Sequence, residues 1–325
     1  MDRRSFLAGG AAAAALSSAE AAAQANALAP AAAYSAQRAG DALVILRNGI
    51  TLIEDFPNGG PNTPHPIGAA TASFVPALAA ALVADRLLTL DELAAVTLGD
   101  WALHPRKSRI TIRMLLDRTC GISGERRAMS DYEACALEPV AEPGERFIND
   151  PAPTQIFAEV ARRKLAGAGG ASDAGNYLTL RVLSPVGCAP VNWRRENNEI
   201  RLTEGASLTA RAWARWGELM RRVGVWRASQ IVDGPALRDA CRGSWVQPRY
   251  GFGVWLAWPA QRTPTFEGSD LWSSPDVPQD LVMAASDQGD RLFILPTQRM
   301  VIARQASRAA GWSDAAFLSA ILAAR

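Results

Sequence analysis

Short runs of β-branched and aromatic residues stand at both ends of this 325-residue chain, and the stretch between them is patterned for helix. Residues 41–56, DALVILRNGITLIEDF, hold two such runs around Asn48-Gly49, the strongest short-range signal for a hairpin of antiparallel strands. Near the other end come RYGFGVWLAW (249–258), QDLVMAAS (279–286), DRLFILPT (290–297) and RMVIARQA (299–306), each bounded by turn residues. Helical periodicity is read over 69–85, 111–117, 151–166, 209–222 and 234–242, with Trp213 and Trp216 on one face of the fourth, and over 313–324 at the end. A sheet drawn from both ends forces the termini together and leaves the middle as a helical lobe. The expected fold class is therefore α/β of the α+β kind, an antiparallel sheet flanked by helices with a helical lobe beside it.

No repeat of 20–50 residues and no Pro/Ser-rich linker divides the chain after about residue 40, so one domain over 26–325 is expected. The first 25 residues have a different character. MDRRSFLAGGAAAAALSSAEAAAQA opens on paired arginines, continues through a weakly apolar stretch from Phe6 to Leu16, and offers small residues at Ala21 and Ala23. That is the pattern of an export signal, and Arg3-Arg4-Ser5-Phe6-Leu7 resembles the twin-arginine type. A periplasmic protein starting near Gln24 is expected. About eleven apolar residues fall short of the ~20 that span a bilayer, so no membrane association is expected of the mature form.

Thirty-four basic residues against 32 acidic ones leave a formal charge of +2, with no basic block longer than a pair, which argues against nucleic acid as a partner. Two histidines, His65 and His104, and four cysteines without a Cys-x-x-Cys spacing give no ligand set for a metal, and no cofactor is expected. In an oxidising compartment the cysteines allow three pairings. A Cys120–Cys135 staple would be worth about 3 kcal/mol by loop closure; as unpaired residues, all four would serve as small buried hydrophobes.

A series of segments, in order, carries a resemblance. They are Ile67-Gly-Ala-Ala-Thr-Ala-Ser-Phe74 with the following helix, Leu87-Leu-Thr-Leu-Asp91, Ile110-Thr-Ile-Arg-Met-Leu-Leu-Asp-Arg-Thr-Cys-Gly-Ile122, Pro143-Gly-Glu-Arg-Phe147, Arg181-Val-Leu-Ser-Pro-Val-Gly187, Leu208-Thr-Ala-Arg-Ala-Trp213 and Tyr250-Gly-Phe-Gly253 leading to Arg291-Leu-Phe-Ile-Leu-Pro296. Together they resemble the serine β-lactamase and penicillin-binding-protein family, nearest to class C and its related esterases and D-aminopeptidases. The resemblance implies that family's fold and a cleft at the head of the first long helix. It also implies a nucleophilic serine there, a lysine three residues on, a tyrosine from a later loop, and a strand edge that supplies oxyanion and carboxylate contacts.

At the matching positions this chain carries Ala69 for the serine, Ala72 for the lysine and Asn149 for the tyrosine. Ser286-Asp-Gln-Gly-Asp290 stands at the third motif without lysine or histidine. The chain has two lysines, Lys107 and Lys164, and no Ser-x-x-Lys anywhere. Cys120 occupies the place of the serine in the family's Thr-Ser-Gly. Pro76, inside the helix expected from Ala69, is predicted to kink it and to deprive the Ala72 carbonyl of its amide donor. No catalytic residue is therefore intact. Losing one member of a cooperating nucleophile and base typically costs on the order of a millionfold in turnover.

The leading expectation is a pseudoenzyme whose cleft, lined by Ala69, Ser73, Asn149, Asp150, Ser286, Asp287 and Gln288, holds a small-molecule, peptide, peptidoglycan or ester-like ligand. Two others stand beside it. One is a working hydrolase using Ser73 or Ser286, although Ser73 reads more simply as a hydroxyl bonded back to a helix carbonyl. The other is a partner-binding structural protein whose cleft is filled.

Overall fold

The computed structural model describes residues 18–125, 129–170, 173–196, 199–257, 266–274, 276–309 and 311–324. Most of the export signal read in the sequence, residues 1–17, lies outside them, as do Trp258 at the end of one expected strand and the segment that follows it. Residues 18–36, expected to be signal and Ala-rich connection, form a helix, α1 (Ser18–Ala36), whose Leu28 and Ala31 are buried.

The hairpin forms as read, with β1 (Gly40–Arg47) pairing antiparallel to β2 (Ile50–Asp55). Asn48 and Gly49 both adopt positive φ, 54° and 77°, the pair of left-handed residues that a two-residue turn between right-twisted strands demands. A two-residue strand, β3 (His65–Pro66), leads through a 3-10 turn over Gly68–Phe74 into α2 (Val75–Ala84).

The helical lobe follows as α3 (Ile112–Leu116), α4 (Asp131–Ala134), α5 (Ala152–Gly167) and α6 (Ala174–Leu178), then a π-helical turn over Thr179–Leu183 into α7 (Ser184–Val186). Three two-residue strands, β4 (Asn192–Trp193), β5 (Arg195–Glu196) and β6 (Glu199–Ile200), precede β7 (Ala206–Leu208), which pairs with both β3 and β4. Next come α8 (Ala210–Arg221), β8 (Val225–Trp226), β9 (Ser229–Gln230) and α9 (Gly234–Ala240). The chain closes with β10 (Trp255–Leu256), β11 (Val282–Ala285), β12 (Arg291–Leu295), β13 (Met300–Ala306) and α10 (Asp314–Ala323). Side-chain caps mark the helix starts: Thr111, Thr209 and Ser313 accept from the backbone N–H three residues on.

The main sheet has the order β10-β11-β12-β13-β1-β2 and is antiparallel throughout. β13, from near the C-terminus, pairs with β1 from Gly40↔Ala306 to Arg47↔Met300, which is the closure of both ends predicted above. Both faces are covered. Val44, Leu292, Ile294, Val301 and Ala303 point to one core with α2 and α8, while Leu43, Ile45, Phe293, Leu295 and Ile302 point to a second under α1 and α10. This explains why the strands read as continuous apolar runs rather than strict alternation. Helix α8 approaches the sheet at Gly217, where a Cβ would lie 2.5 Å from Val301 Cγ1.

Two expectations are corrected. Among the described residues of RYGFGVWLAW, 249–257, only Trp255–Leu256 form a strand, because Gly253 turns at φ +95° to pass close to Ala72. All four cysteines are free, so the Cys120–Cys135 staple is not formed. Burial pushes the thiols of Cys120, Cys135 and Cys241 up to about 12, and they serve as packing residues.

Candidate functional site

The site is built around the 3-10 turn. Ile67 is fully buried and its N–H donates to Ala206 O at 3.0 Å, fixing the turn's start to β7. Gly68 takes φ +50° and lies against Ser286, whose Cβ is 3.3 Å from where a Cβ on Gly68 would stand, so the turn begins in contact with the β11–β12 connection. Thr71 Oγ1 donates to Gly68 O at 2.6 Å and accepts from Ala206 N at 3.2 Å, which locks the turn from within.

With about three residues per 3-10 turn, positions 69 and 72 eclipse, and both alanines line the same cleft. Ala69 is exposed at its surface, and Ala72 is buried against Gly253.

The kink predicted at Pro76 does not occur. Pro76 lies in the first turn of α2, where its missing N–H is one the helix leaves unpaired anyway, and the Ala72 carbonyl accepts from Val75 N–H instead. The 3-10 geometry upstream makes room for the proline.

The cleft has a volume of about 870 Å³. Its walls come from the 3-10 turn, the residues after α3, the loop before α5, the β5–β7 region, the residues around β10 and the end of β11. Asn149 is there, with its Oδ1 accepting from Arg118 Nη1. Arg118 is 9% exposed and sits in the left-handed region at φ 60°, unusual for a residue with a Cβ. Its carbonyl accepts from Ile148 N at 3.0 Å, so the strained residue and the 147–149 segment hold each other. Its guanidinium lies over the Tyr250 ring at 4.8 Å. Arg118 and the aromatic wall were not singled out as site residues in the sequence. The available signal was an arginine directly before Thr119 in a segment that carries the resemblance.

The other residues expected in the cleft divide. Asp287 lines it and is exposed. Asp150 is 3% exposed and structural, accepting from Ala152 N at 2.8 Å and from Ser123 Oγ at 3.1 Å at the head of α5. Gln288 is exposed on the β11–β12 turn and is not among the cleft-lining residues. Ser286 is buried behind that turn, with its Oγ donating to Asp290 Oδ2 at 2.5 Å. Ser73 is 1% exposed and faces the interior. Its Oγ has no hydrogen-bond partner, which corrects the expected bond to a helix carbonyl.

A charged cluster backs the site. His65 Nε2 is 3.0 Å from Asp290 Oδ1, and Nδ1 is 3.8 Å from Asp41 Oδ2. Burial is the largest influence on His65 and pushes its pKa down, but the hydrogen bond to Asp290 and the charges of Asp290 and Asp41 outweigh it and leave it raised. Asp290 bridges the two side chains, its Oδ1 meeting His65 and its Oδ2 accepting from Ser286, so the Ser286 hydroxyl proton is directed to the carboxylate rather than to the imidazole. Among the described residues, no group of three or more histidine, cysteine or acidic side chains could hold a metal.

Residues 18–317 match the sequence model of the family described as Beta-lactamase. The chain belongs to the beta-lactamase family. Its fold and ancestry are thus those of the serine hydrolases with this architecture, which include esterase and penicillin-binding-protein-like homologues. A penicillin-binding protein homologue from Caulobacter crescentus superposes with a TM-score of 0.69 at 14% identity, over 93% of this chain and 96% of that one. A family VIII carboxylesterase gives 0.69 at 14%, over 93% and 96%. A beta-lactamase from Mycobacterium bovis gives 0.62 at 17%, over 88% and 92%. At these identities the likeness is one of fold. Curated proteins yield no match. Within the beta-lactamase family's cleft, this chain presents methyl groups at 69 and 72 and a carboxamide at 149.

Proposed function

We propose that this member of the beta-lactamase family is a periplasmic pseudoenzyme, one that retains the cleft and binds a peptide, peptidoglycan-derived or ester-like ligand without forming an acyl-enzyme. The observation that carries the reading is the eclipsed pair Ala69 and Ala72 on the cleft surface. Neither side chain can attack a carbonyl or take up a proton. Three further features support it. Asn149 is a carboxamide held by Arg118 and cannot act as a phenolate. The two alternative hydroxyls, Ser73 and Ser286, are each 1% exposed, and neither is among the cleft-lining residues. Cys120 is fully buried with its pKa pushed up to about 12, far from thiolate at neutral pH. An open cleft of about 870 Å³ favours a ligand over a filled, purely structural protein. The periplasmic assignment rests on Arg3-Arg4-Ser5-Phe6-Leu7 and the small residues near Ala23.

The reading is tested by steady-state hydrolysis of p-nitrophenyl butyrate and a chromogenic cephalosporin, comparing the natural chain with an Ala69→Ser/Ala72→Lys/Asn149→Tyr variant. The natural chain is expected to match the buffer blank, while the variant gains ester turnover, because eclipsed positions aim the restored hydroxyl and amine into one cleft. Turnover by the natural chain that co-purifies with the protein sinks the proposal.

A further inference from the structure

Among the described residues, no carboxylate meets the Arg118 guanidinium within 4 Å of its nitrogens. The residue is 9% exposed, and among the described residues its Nε–H has no hydrogen-bond acceptor and its guanidinium makes one hydrogen bond, to the neutral Asn149 Oδ1. The neighbouring Asp117 is turned away, with its Oδ1 accepting from Thr119 N at 3.1 Å and Thr119 Oγ1 at 2.6 Å. A buried guanidinium without a counter-ion is costly and presents a planar fork suited to a carboxylate.

The other cleft arginines are differently placed. Arg194 and Arg201 each lie within 4 Å of both Glu196 and Glu204, and Arg201 also donates to Met129 O at 2.7 Å. Their charge is offset locally, and Arg118 alone of the three lacks such partners.

Beside Arg118 runs an aromatic wall. The Phe147 and Tyr250 ring centroids are 5.1 Å apart, Tyr250 and Trp255 5.1 Å, and Trp255 and Phe266 6.0 Å, and all four residues line the cleft. Carboxylates outnumber arginines by four to three over the whole lining, with Glu267 and Asp287 exposed on it. Such a field opposes phosphates and other multiply charged anions and tolerates a single negative charge delivered to one point.

We infer that the cleft is a receptor for monocarboxylates with an apolar or aromatic body, the carboxylate resting on Arg118 and the body on the Phe147–Tyr250–Trp255–Phe266 wall. This rests on the reading of the cleft as a ligand site and names the ligand's class. The recognition element is a side chain that the sequence argument passed over, on the segment after α3 rather than at the strand edge where the family's carboxylate contacts are expected.

The test is calorimetric titration of the natural protein with phenylacetate, 4-phenylbutyrate and N-acetylphenylalanine, each paired with its primary amide. At least one acid is expected to bind about ten- to a hundredfold more tightly than its amide, the range of a charge-assisted contact in a partly dry site. Arg118→Gln is expected to abolish that preference while amide binding persists, and Arg118→Lys to keep part of it. Equal binding of every acid and its amide to the natural protein overturns the inference, as does failure of all six compounds to bind. The acid–amide comparison needs no variant, so it stands even if Arg118→Gln does not fold. A preference undiminished in a folded Arg118→Gln also overturns it. A covalent adduct on the natural protein, found alongside an acid preference lost in Arg118→Gln, overturns the inert-cleft reading and leaves this one standing.

Discussion

At the scale of single residues, chemistry that resides in a side chain's own atoms can be read directly from the sequence, and chemistry that depends on neighbours cannot. Ala69 and Ala72 disclose their inertness by composition, whatever the fold around them. Arg118 becomes notable only once the structure shows that among the described residues no carboxylate approaches it, which is a tertiary fact. Ser73 is the converse: its place in a helical run favours a hydroxyl bonded to a helix carbonyl, yet among the described residues its Oγ has no partner.

Asp131 is another such case. Burial, reinforced by Glu199 and Glu159 and only partly countered by Arg201, pushes its carboxyl up to about 8. Between its unfolded value near 4 and its folded value near 8 the native state holds the proton more tightly, so stability falls as pH rises across that window. Asp131→Asn should flatten the decline and raise the melting temperature at pH 8 relative to the natural chain, as followed by thermal denaturation across pH 5–9. An unchanged pH profile would show that Asp131 titrates normally.

At the scale of elements, long periodic segments and capped starts were legible. The helices headed by Thr111, Thr209 and Ser313 begin where their hydroxyls accept backbone N–H groups. The β1–β2 hairpin turns at the predicted Asn48-Gly49. Two kinds of element were not legible. Helix α1 is more than half alanine, so its composition reads as connection, and its reason to be ordered is the sheet face it covers. The 3-10 to α switch at Pro76 was read as a kink, because period alone does not separate three residues per turn from 3.6 over seven residues.

That switch makes a strong demand on the opposite wall, where a Cβ on Gly253 would stand 2.1 Å from Ala72 O at φ +95°. Gly253→Ala should therefore destabilise by on the order of 3 kcal/mol, combining backbone strain with displacement of the 3-10 turn. Urea denaturation measures it, and a cost below about 1 kcal/mol would mean that the two walls are not held in contact.

At the scale of the whole molecule, one ion pair ties the end of the chain to the sheet. Arg291 on β12 and Asp314 on α10 are both almost fully buried, with Arg291 Nε 2.9 Å from Asp314 Oδ1. The same guanidinium donates to the carbonyls of Ser286, Asp290 and Gly268, which gather the β11–β12 turn and the segment ahead of it beside the cleft. Removing one partner leaves a buried charge uncompensated, so Asp314→Ala should cost about 3–5 kcal/mol in the same urea experiment. A smaller loss would mean that water reaches Arg291.

Closure of the sheet by both ends was legible from where the strand runs fall along the chain, and the cleft's place at the head of α2 from the order of the family's motifs. The cleft's contents were not, since its walls draw on six separate stretches that only folding brings together. What unites the account is the proposal of a retained cleft that forms no acyl-enzyme. Its most direct test is the intact mass of the purified natural chain after incubation with excess fluorophosphonate and, separately, with benzylpenicillin. The account predicts the unmodified mass in both cases, whereas a stoichiometric increment of one phosphonyl or penicilloyl group would contradict it.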